Sequence, residues 1–456
     1  EAYIKALSLR PDYTEVYYNT GLALMSVTIN KPSSKLQGII TSILKHRRYV
    51  RPIDISSATM RLLKFDPIIK KVFRQSFDCS QNIVVQKIVL ELSKIPLLLK
   101  FMSVCPLSDL EFEVVLRKIR SLILESLSEI NEDSDFLRFQ SALALQCFIN
   151  EYIYLQDDSD SKTLKKLEIS IEKSLSIGKQ PSTKAVLCLA SFKSLKEYRW
   201  CDLLAIKDDI EDVFAQQVLE SKQEDLIRSS IPSLIEITNT VSSRVREQYE
   251  ANPYPRWVNL RLPLKPYRIY EMFDLANLKC FDDKINDVMA PDILIAGCGT
   301  GQHAIGTAAT FKDTKILAID LSLSSLAYAQ RKTEEIGLTN IDYMQADILD
   351  LRKLERQFDI IESVGVLHHM ENPLVGWKVL TDCLKSGGLM KLGLYSELAR
   401  KDIIKIREEI AELGVDLSGS AMQAFRNDMI KSKKDQYNQV INSSDFYSLS
   451  TLRDLL

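Results

Sequence analysis

Ten residues constrain this chain more than any others: Asp292-Ile-Leu-Ile-Ala-Gly-Cys-Gly-Thr-Gly301. Four apolar residues in succession read as a strand. The run breaks into three glycines at alternate positions, where the backbone can turn tightly and approach a ligand closely. A helical stretch, Gln302–Phe311, follows, and then a second apolar run, Lys315-Ile-Leu-Ala-Ile-Asp320, that ends on an acid. Strand, glycine turn, helix, strand, acid is the opening of an open α/β sheet that holds a nucleoside. The carboxylate about twenty residues past the turn accepts both ribose hydroxyls.

Gly297, Gly299 and Gly301 read G-x-G-x-G, whereas a dinucleotide fingerprint reads G-x-G-x-x-G; Gln302 stands where that pattern has its third glycine. A pyrophosphate is held on the helix N-terminus that the longer pattern exposes, so the shorter spacing suits a ligand without phosphates. Three further segments follow in order. Gln345-Ala-Asp347-Ile348 comes after the strand-like Ile341–Met344. Phe358-Asp-Ile-Ile-Glu-Ser-Val-Gly-Val-Leu-His-His369 is a strand with a polar end. Leu384-Lys-Ser-Gly-Gly-Leu-Met-Lys-Leu-Gly-Leu394 is a helix end, a glycine turn and a strand. On these five elements, residues 291–397 resemble the class I S-adenosylmethionine-dependent methyltransferases. The resemblance implies a Rossmann-like α/β domain with a mainly parallel sheet and S-adenosylmethionine as cofactor. It implies that Gly297, Cys298, Gly299 and Gly301 wrap the methionine part, that Asp320 holds the ribose hydroxyls, and that Asp347 meets the adenine amino group. Leu321, Ile348 and Ser363 join them as cofactor contacts. A fold of this kind that has lost its catalysis and binds cofactor only structurally, as a scaffold, is the alternative.

A length of 456 residues implies more than one domain. The net charge of −2 gives no general pull toward nucleic acid or an anionic membrane, and Lys45-His-Arg-Arg-Tyr-Val-Arg51 reads as a solvated edge. Cysteines stand at 79, 105, 147, 188, 201, 280, 298 and 383 with no C-x-x-C pair and no Cys/His metal spacing. Most lie in apolar helical surroundings, as in a reducing cytoplasm. The most apolar window, Ile88–Val104, carries Glu91, Lys94 and Lys100 and cannot span a membrane. The chain starts at Glu1 in mid-motif and stops at Leu456 within a helical pattern, so a fragment of a longer protein is expected.

Residues 1–32 hold Ala6-Leu7 before Arg10-Pro11, then Tyr18-Asn-x-Gly21, which resembles a junction between two tetratricopeptide repeats. Such repeats bury their apolar faces against one another and bind extended peptides in their grooves, which implies a protein or peptide partner for the N-terminal region. Residues 33–248 read as an all-α array with apolar spacing near 3.6 over Leu110–Ile130, Asp135–Tyr154 and Leu164–Ile177. N-cap signals stand at Asp54, Ser108-Asp109 and Asp133-Ser134, and Gly178 precedes a fresh start at Ser182. Tyr249-Glu-Ala-Asn-Pro-Tyr-Pro-Arg-Trp257 forms a hinge whose prolines end the preceding helix, and the methyltransferase resemblance reaches back to it. Tyr254, Arg256 and Trp257 are candidates for a lid over the cofactor site; a linker pinned by aromatic packing is the alternative. Residues 258–456 are expected to form the methyltransferase domain. Beyond Tyr395 the sequence turns to charged helices, Leu398–Leu413 and Ser420–Lys434, and the antiparallel hairpin that often completes such sheets is not visible.

An uncharged acceptor must lose a proton as it takes a methyl group, and a base poised near neutrality assists. Of the four histidines, His368 and His369 fall just past the fourth strand, at the end of the sheet that faces the crevice. They are the candidate catalytic pair, with His368 nearer the strand. Tyr395, past the fifth strand, lines the expected acceptor side, as do Ser396 and Glu397. His303 neighbours the cofactor, and Glu362 either faces the pocket or pairs with a neighbour. The Asn/Asp-Pro-Pro-Tyr/Phe clamp of enzymes acting on planar nitrogens is absent from this sequence. The acceptor is therefore open between a protein or peptide, which the helical half favours, and a small metabolite.

Overall fold

The computed structural model describes all residues except 1, 11, 75–81, 252, 280–282, 416–418 and 433. Pro11, Cys79, Asn252 and Cys280, named above, lie outside the described residues. The chain forms two units, each discontinuous in sequence. The first comprises Glu1–Ser221, Trp257–Arg261 and Asp402–Leu456; the second comprises Lys222–Arg256 and Leu262–Lys401.

The first unit is helical. Its helices begin where short acceptor side chains capture the orphan N–H groups of a first turn. Ser33 accepts from the Leu36 N–H (3.2 Å), Asp109 from Glu111 and Phe112 (3.0 and 3.3 Å), Asp133 from Asp135 and Phe136 (2.9 and 3.4 Å), and Asp157 from Asp160 (2.8 Å). The helices that follow the last three run Leu110–Glu125, Ser134–Ile149 and Asp158–Ser176. Gly178 has a positive φ of 72° after the third of these, and a new helix starts at Thr183. Ala2–Leu9 and Thr14–Leu24 form the first two helices. One apolar core runs through Ile40, Leu62, Phe101, Phe112, Phe136 and Phe139 and takes in Ile406, Met422, Phe446 and Leu452 from the C-terminal end. That end is also tied by charge. The Arg426 guanidinium forks onto the Glu113 carboxylate at 2.7 and 2.6 Å and donates to the Phe446 carbonyl at 2.8 Å, with both charged groups buried.

The expected single domain over 258–456 is thus divided differently. Residues 402–456 pack with the helical unit, and 222–256, expected within the all-α array or hinge, count with the α/β unit. The apolar stripe Ile403, Ile406, Ile410 shows that a helix buries one face. Periodicity does not say which core receives it.

The second unit is built on a five-stranded sheet: β1 Asp292–Ala296, β2 Lys315–Asp320, β3 Ile341–Gln345, β4 Phe358–Val364 and β5 Leu384–Gly393. All pairings are parallel, in the order β3-β2-β1-β4-β5. Alternate residues serve two cores. Ile293, Ile295, Ile316 and Ala318 meet the helices Gln302–Thr310 and Leu323–Ile336 on one face, while Leu294, Leu317 and Ile319 meet Pro373–Asp382 on the other. The chain winds outward from β1 to β3, then returns to β4 on the other side of β1. The crevice of an open sheet lies at such a switch, outside the carboxyl ends of its strands.

β5 starts earlier than its glycine turn suggested. Its pairing jumps from Phe358↔Leu384 to Ile360↔Leu389, so Lys385–Gly388, which includes both glycines, forms an irregularity inside the strand. A Cβ at Gly388 would lie 2.8 Å from the Asp359 carbonyl. At the opposite edge, the backbone of Pro232-Ser233-Leu234 pairs with Gln345 (2.8 and 2.9 Å) and covers β3. No strand alternation in the sequence marks this segment as extended. Among the described residues no helix is long and apolar enough to cross a membrane.

Candidate active site

The glycine turn that leaves β1 holds its shape because a side chain cannot be accommodated. Gly297 and Gly301 have φ of 76° and 84°. A Cβ at Gly297 would lie 2.4 Å from a Val366 methyl, and one at Gly301 would lie 2.7 Å from Ala329 Cβ. The Gly297 and Cys298 N–H groups both donate to the Ile319 carbonyl at 2.9 Å, clamping the turn onto the end of β2.

Asp320, at the carboxyl end of β2, faces that turn. Its Oδ2 accepts the Gly299 N–H at 2.8 Å, and its Oδ1 accepts the Ser322 N–H at 3.0 Å. Burial pushes its acidity weaker than an ordinary carboxylate; the backbone N–H bonds oppose that rise and the nearby Glu250 charge adds to it. Leu321 is fixed through its carbonyl, which accepts from the Gln345 side chain at 2.9 Å.

Asp347, just past β3, is buried. One oxygen accepts the Leu349 N–H at 2.9 Å, while Oδ2 is buried with no hydrogen-bond partner among the described residues. The hydroxyl of buried Ser363, near the end of β4, is likewise without a partner. Ile348 is buried beside Asp347. The Cys298 thiol is buried, and burial together with the charge of Asp320 pushes its pKa well above that of an ordinary thiol.

A short helical turn, Leu367–His369, follows β4 and presents both candidate histidines. The His368 ring centroid lies 4.2 Å from that of His369 and 3.9 Å from that of Tyr395, and the Arg400 guanidinium sits 3.2 Å above Tyr395. The row continues through Tyr249, 6.3 Å from His369, to Tyr254, 6.4 Å from Tyr249. His368, His369, Tyr395 and Tyr254 are therefore brought together.

Glu362 pairs with neighbours. It binds His303 Nε2 at 2.5 Å and accepts from the Thr307 hydroxyl at 2.8 Å, with Lys391 at 3.8 Å. Burial raises its pKa, but these partners outweigh burial and leave it below the usual value.

The hinge meets the glycine turn through its backbone. The Thr300 hydroxyl donates to the Pro255 carbonyl at 2.5 Å, and the Tyr254 carbonyl stands 3.0 Å from where a Gly299 Cβ would be. The Arg256 guanidinium lies 6.0 Å from the Tyr328 ring on the helix Leu323–Ile336. Trp257 is buried and counts with the helical unit, where the next residues bond to Leu44 and Arg47. Glu250 makes contacts that no sequence motif announces. Its carboxylate accepts from the Leu323 N–H at 2.6 Å and from the Ser324 N–H and hydroxyl at 3.2 and 2.6 Å. No local pattern marks it, because its partners lie 73 and 74 positions away.

Residues 293–388 match the family described as a methyltransferase domain. An uncharacterized protein of Synechococcus sp. is 32% identical over 187 residues, 41% of this chain and 45% of that protein. (S)-coclaurine N-methyltransferase of Papaver somniferum is 29% identical over 117 residues, 26% of this chain and 33% of the relative. Ubiquinone biosynthesis O-methyltransferase of Glaesserella parasuis is 26% identical over 170 residues, 36% of this chain and 68% of the relative. The chain thus spans less than half the length of the first two.

The residues present fit S-adenosylmethionine, the cofactor that the methyltransferase resemblance implies. The Asp347 oxygen lacks a donor, as an adenine amino group would supply. Asp320 has its backbone bonds made and retains lone pairs for ribose hydroxyls.

Proposed function

We propose that this protein transfers a methyl group from S-adenosylmethionine to a protein or peptide acceptor. The observation that carries the cofactor half is the buried Asp347 carboxylate, with one oxygen capping a backbone N–H and the other without a partner, beside Asp320 and the glycine turn. Gly297, Cys298, Gly299 and Gly301 would hold the methionine part, Asp320 and Leu321 the ribose, and Asp347, Ile348 and Ser363 the adenine side. The bound cofactor supplies an electrophilic methyl group; the chain supplies position and a proton acceptor.

The acceptor would enter beside His368, His369 and Tyr395. His368 is the proton acceptor of the proposal, because it lies in the short turn after β4 and its ring is held between His369 and Tyr395. Tyr254 and Arg256 serve as a wall of the cofactor site. The helical unit makes up more than half of the chain and supplies none of the cofactor residues. Its size supports a role in presenting a macromolecular acceptor, with Ala2–Leu9 and Thr14–Leu24 as one junction of tetratricopeptide-like repeats.

The test is transfer of a radiolabelled methyl group to a fractionated lysate, followed by protease. Label released by protease supports a protein acceptor; label confined to small molecules overturns it. On the labelled fraction, His368→Ala should lower the rate by about 10²- to 10⁴-fold, and an unchanged rate rules His368 out.

A further inference from the structure

The first turn of the helix Leu323–Ile336 directly follows the ribose-binding residue Asp320, and its leading N–H groups are met by a side chain from far away in the sequence. Helix N-termini leave N–H groups unsatisfied and carry partial positive charge, so a carboxylate there fixes and stabilises the turn. Ser322 satisfies one of these donors, the Ser325 N–H, at 3.0 Å. Glu250, at the end of the helix Thr240–Ala251, takes the Leu323 and Ser324 N–H groups and the Ser324 hydroxyl. Arg228 pairs with the same carboxylate at 3.1 Å. The 222–256 segment is fastened to this helix at a second point by Glu224, 2.9 Å from buried Arg331.

Ser322 also donates its N–H to Asp320. Asp320 is therefore oriented from two sides: by the glycine turn through Gly299, and by a loop whose far end Glu250 holds. Five residues past Glu250, the Pro255 carbonyl accepts from Thr300 in that same turn.

We propose that Glu250 is a positioning residue for the ribose-binding loop, fixing residues 320–324 so that the Asp320 carboxylate is set to receive the ribose hydroxyls. The inference rests on the cofactor reading above and goes beyond it by assigning a role to a residue outside the methyltransferase motifs. Glu250→Gln keeps the size of the side chain and can keep the Leu323 bond. It turns an amide NH₂ toward the Ser324 donors and Arg228, so the loop loses its anchor. Ser324→Ala removes only the hydroxyl bond and is the milder variant.

The experiment is calorimetric titration of the full chain with S-adenosylhomocysteine and, separately, with 5′-methylthioadenosine, which keeps the ribose and adenine but lacks the amino-acid end. Thermal unfolding of the ligand-free protein is recorded alongside. The expected result is a rise in Kd of tenfold or more for both ligands in Glu250→Gln and of about threefold in Ser324→Ala, which loses one of the three bonds to Glu250 and keeps both backbone ones, with a ligand-free melting temperature within 2 °C or so of the parent. Kd values within twofold of the parent for both ligands overturn the positioning role while leaving the cofactor reading intact. A loss seen with S-adenosylhomocysteine alone also overturns it, since the effect would then lie at the methionine end. If the parent protein binds neither ligand, the cofactor reading fails and the inference with it.

Discussion

Asp347→Asn separates affinity from stability at a single atom. The carboxylate has two oxygens with different duties. Oδ1 accepts the Leu349 N–H at 2.9 Å at the start of a short helical turn, and Oδ2 is buried without a partner. Asparagine caps a helix start about as well as aspartate, so its amide oxygen can take over the Leu349 bond and the NH₂ group then replaces Oδ2. In the ligand-free protein an unpartnered buried charge is exchanged for a neutral amide, which is less costly to desolvate; the melting temperature is expected to hold or rise. On cofactor binding a donor meets the adenine amino donor. The hydrogen bond lost is one to a charged acceptor, worth about 1.5–3 kcal/mol, which corresponds to a Kd for S-adenosylhomocysteine higher by about 10- to 150-fold. Calorimetry gives the Kd and scanning fluorimetry the melting temperature. If Kd is unchanged, adenine does not reach Asp347 and the assignment fails. If Kd rises only in proportion to a large fall in melting temperature, Asp347 is structural and the reasoning from its open oxygen is refuted.

Three further outcomes are expected. Asp320 has a pKa raised by burial, so the folded ligand-free chain holds its proton more tightly than the unfolded chain, and its contribution to stability declines as pH rises from the ordinary carboxylate value through the raised one. Ribose hydroxyls favour the ionised form, so S-adenosylhomocysteine affinity should fall as pH drops through the raised value and release a proton on binding; titrations in buffers of different ionisation enthalpy read this, and Asp320→Asn should abolish it. Gly297→Ala combines a positive φ with a 2.4 Å approach to Val366, whereas Gly337→Ala meets a positive φ with nothing within 4 Å. The second should lose about 1–2 kcal/mol and keep ligand binding, while the first should lose more and bind no cofactor; equal behaviour would show that close approach at the turn is unimportant. Glu113→Gln leaves Arg426 charged and buried, and urea unfolding should show a loss of about 3–5 kcal/mol; a change below 1 kcal/mol or so would mean that the C-terminal helices do not depend on this pair.

The β1–turn–helix–β2 opening was legible because its signals are local. Ile293 to Ala296 are apolar in succession since a central parallel strand is buried on both faces, and three glycines mark where backbone replaces side chain. Asp109 and Asp133 announced their helices for the same reason: a cap acts within three residues of itself. The sequence alone thus determined the α/β class, the order of the strands along the chain, and the helical character of the first two hundred residues.

Tertiary structure decided what depends on partners distant in sequence. Whether Glu362 faced a pocket or a neighbour could not be read from strand alternation, which gives the side of the sheet but not that His303 and Thr307 wait there. That Ile406 and Met422 join the core of Phe112 and not the sheet rests on contacts some three hundred residues apart, as does the pairing of Arg426 with Glu113. The pairing of Pro232–Leu234 with β3 and the capture of Ser324 by Glu250 are of the same kind. An apolar stripe or a lone carboxylate carries its chemistry in the sequence, but its partner is chosen only when the chain folds, because burial and hydrogen bonding depend on proximity in space and leave no periodic trace along the chain.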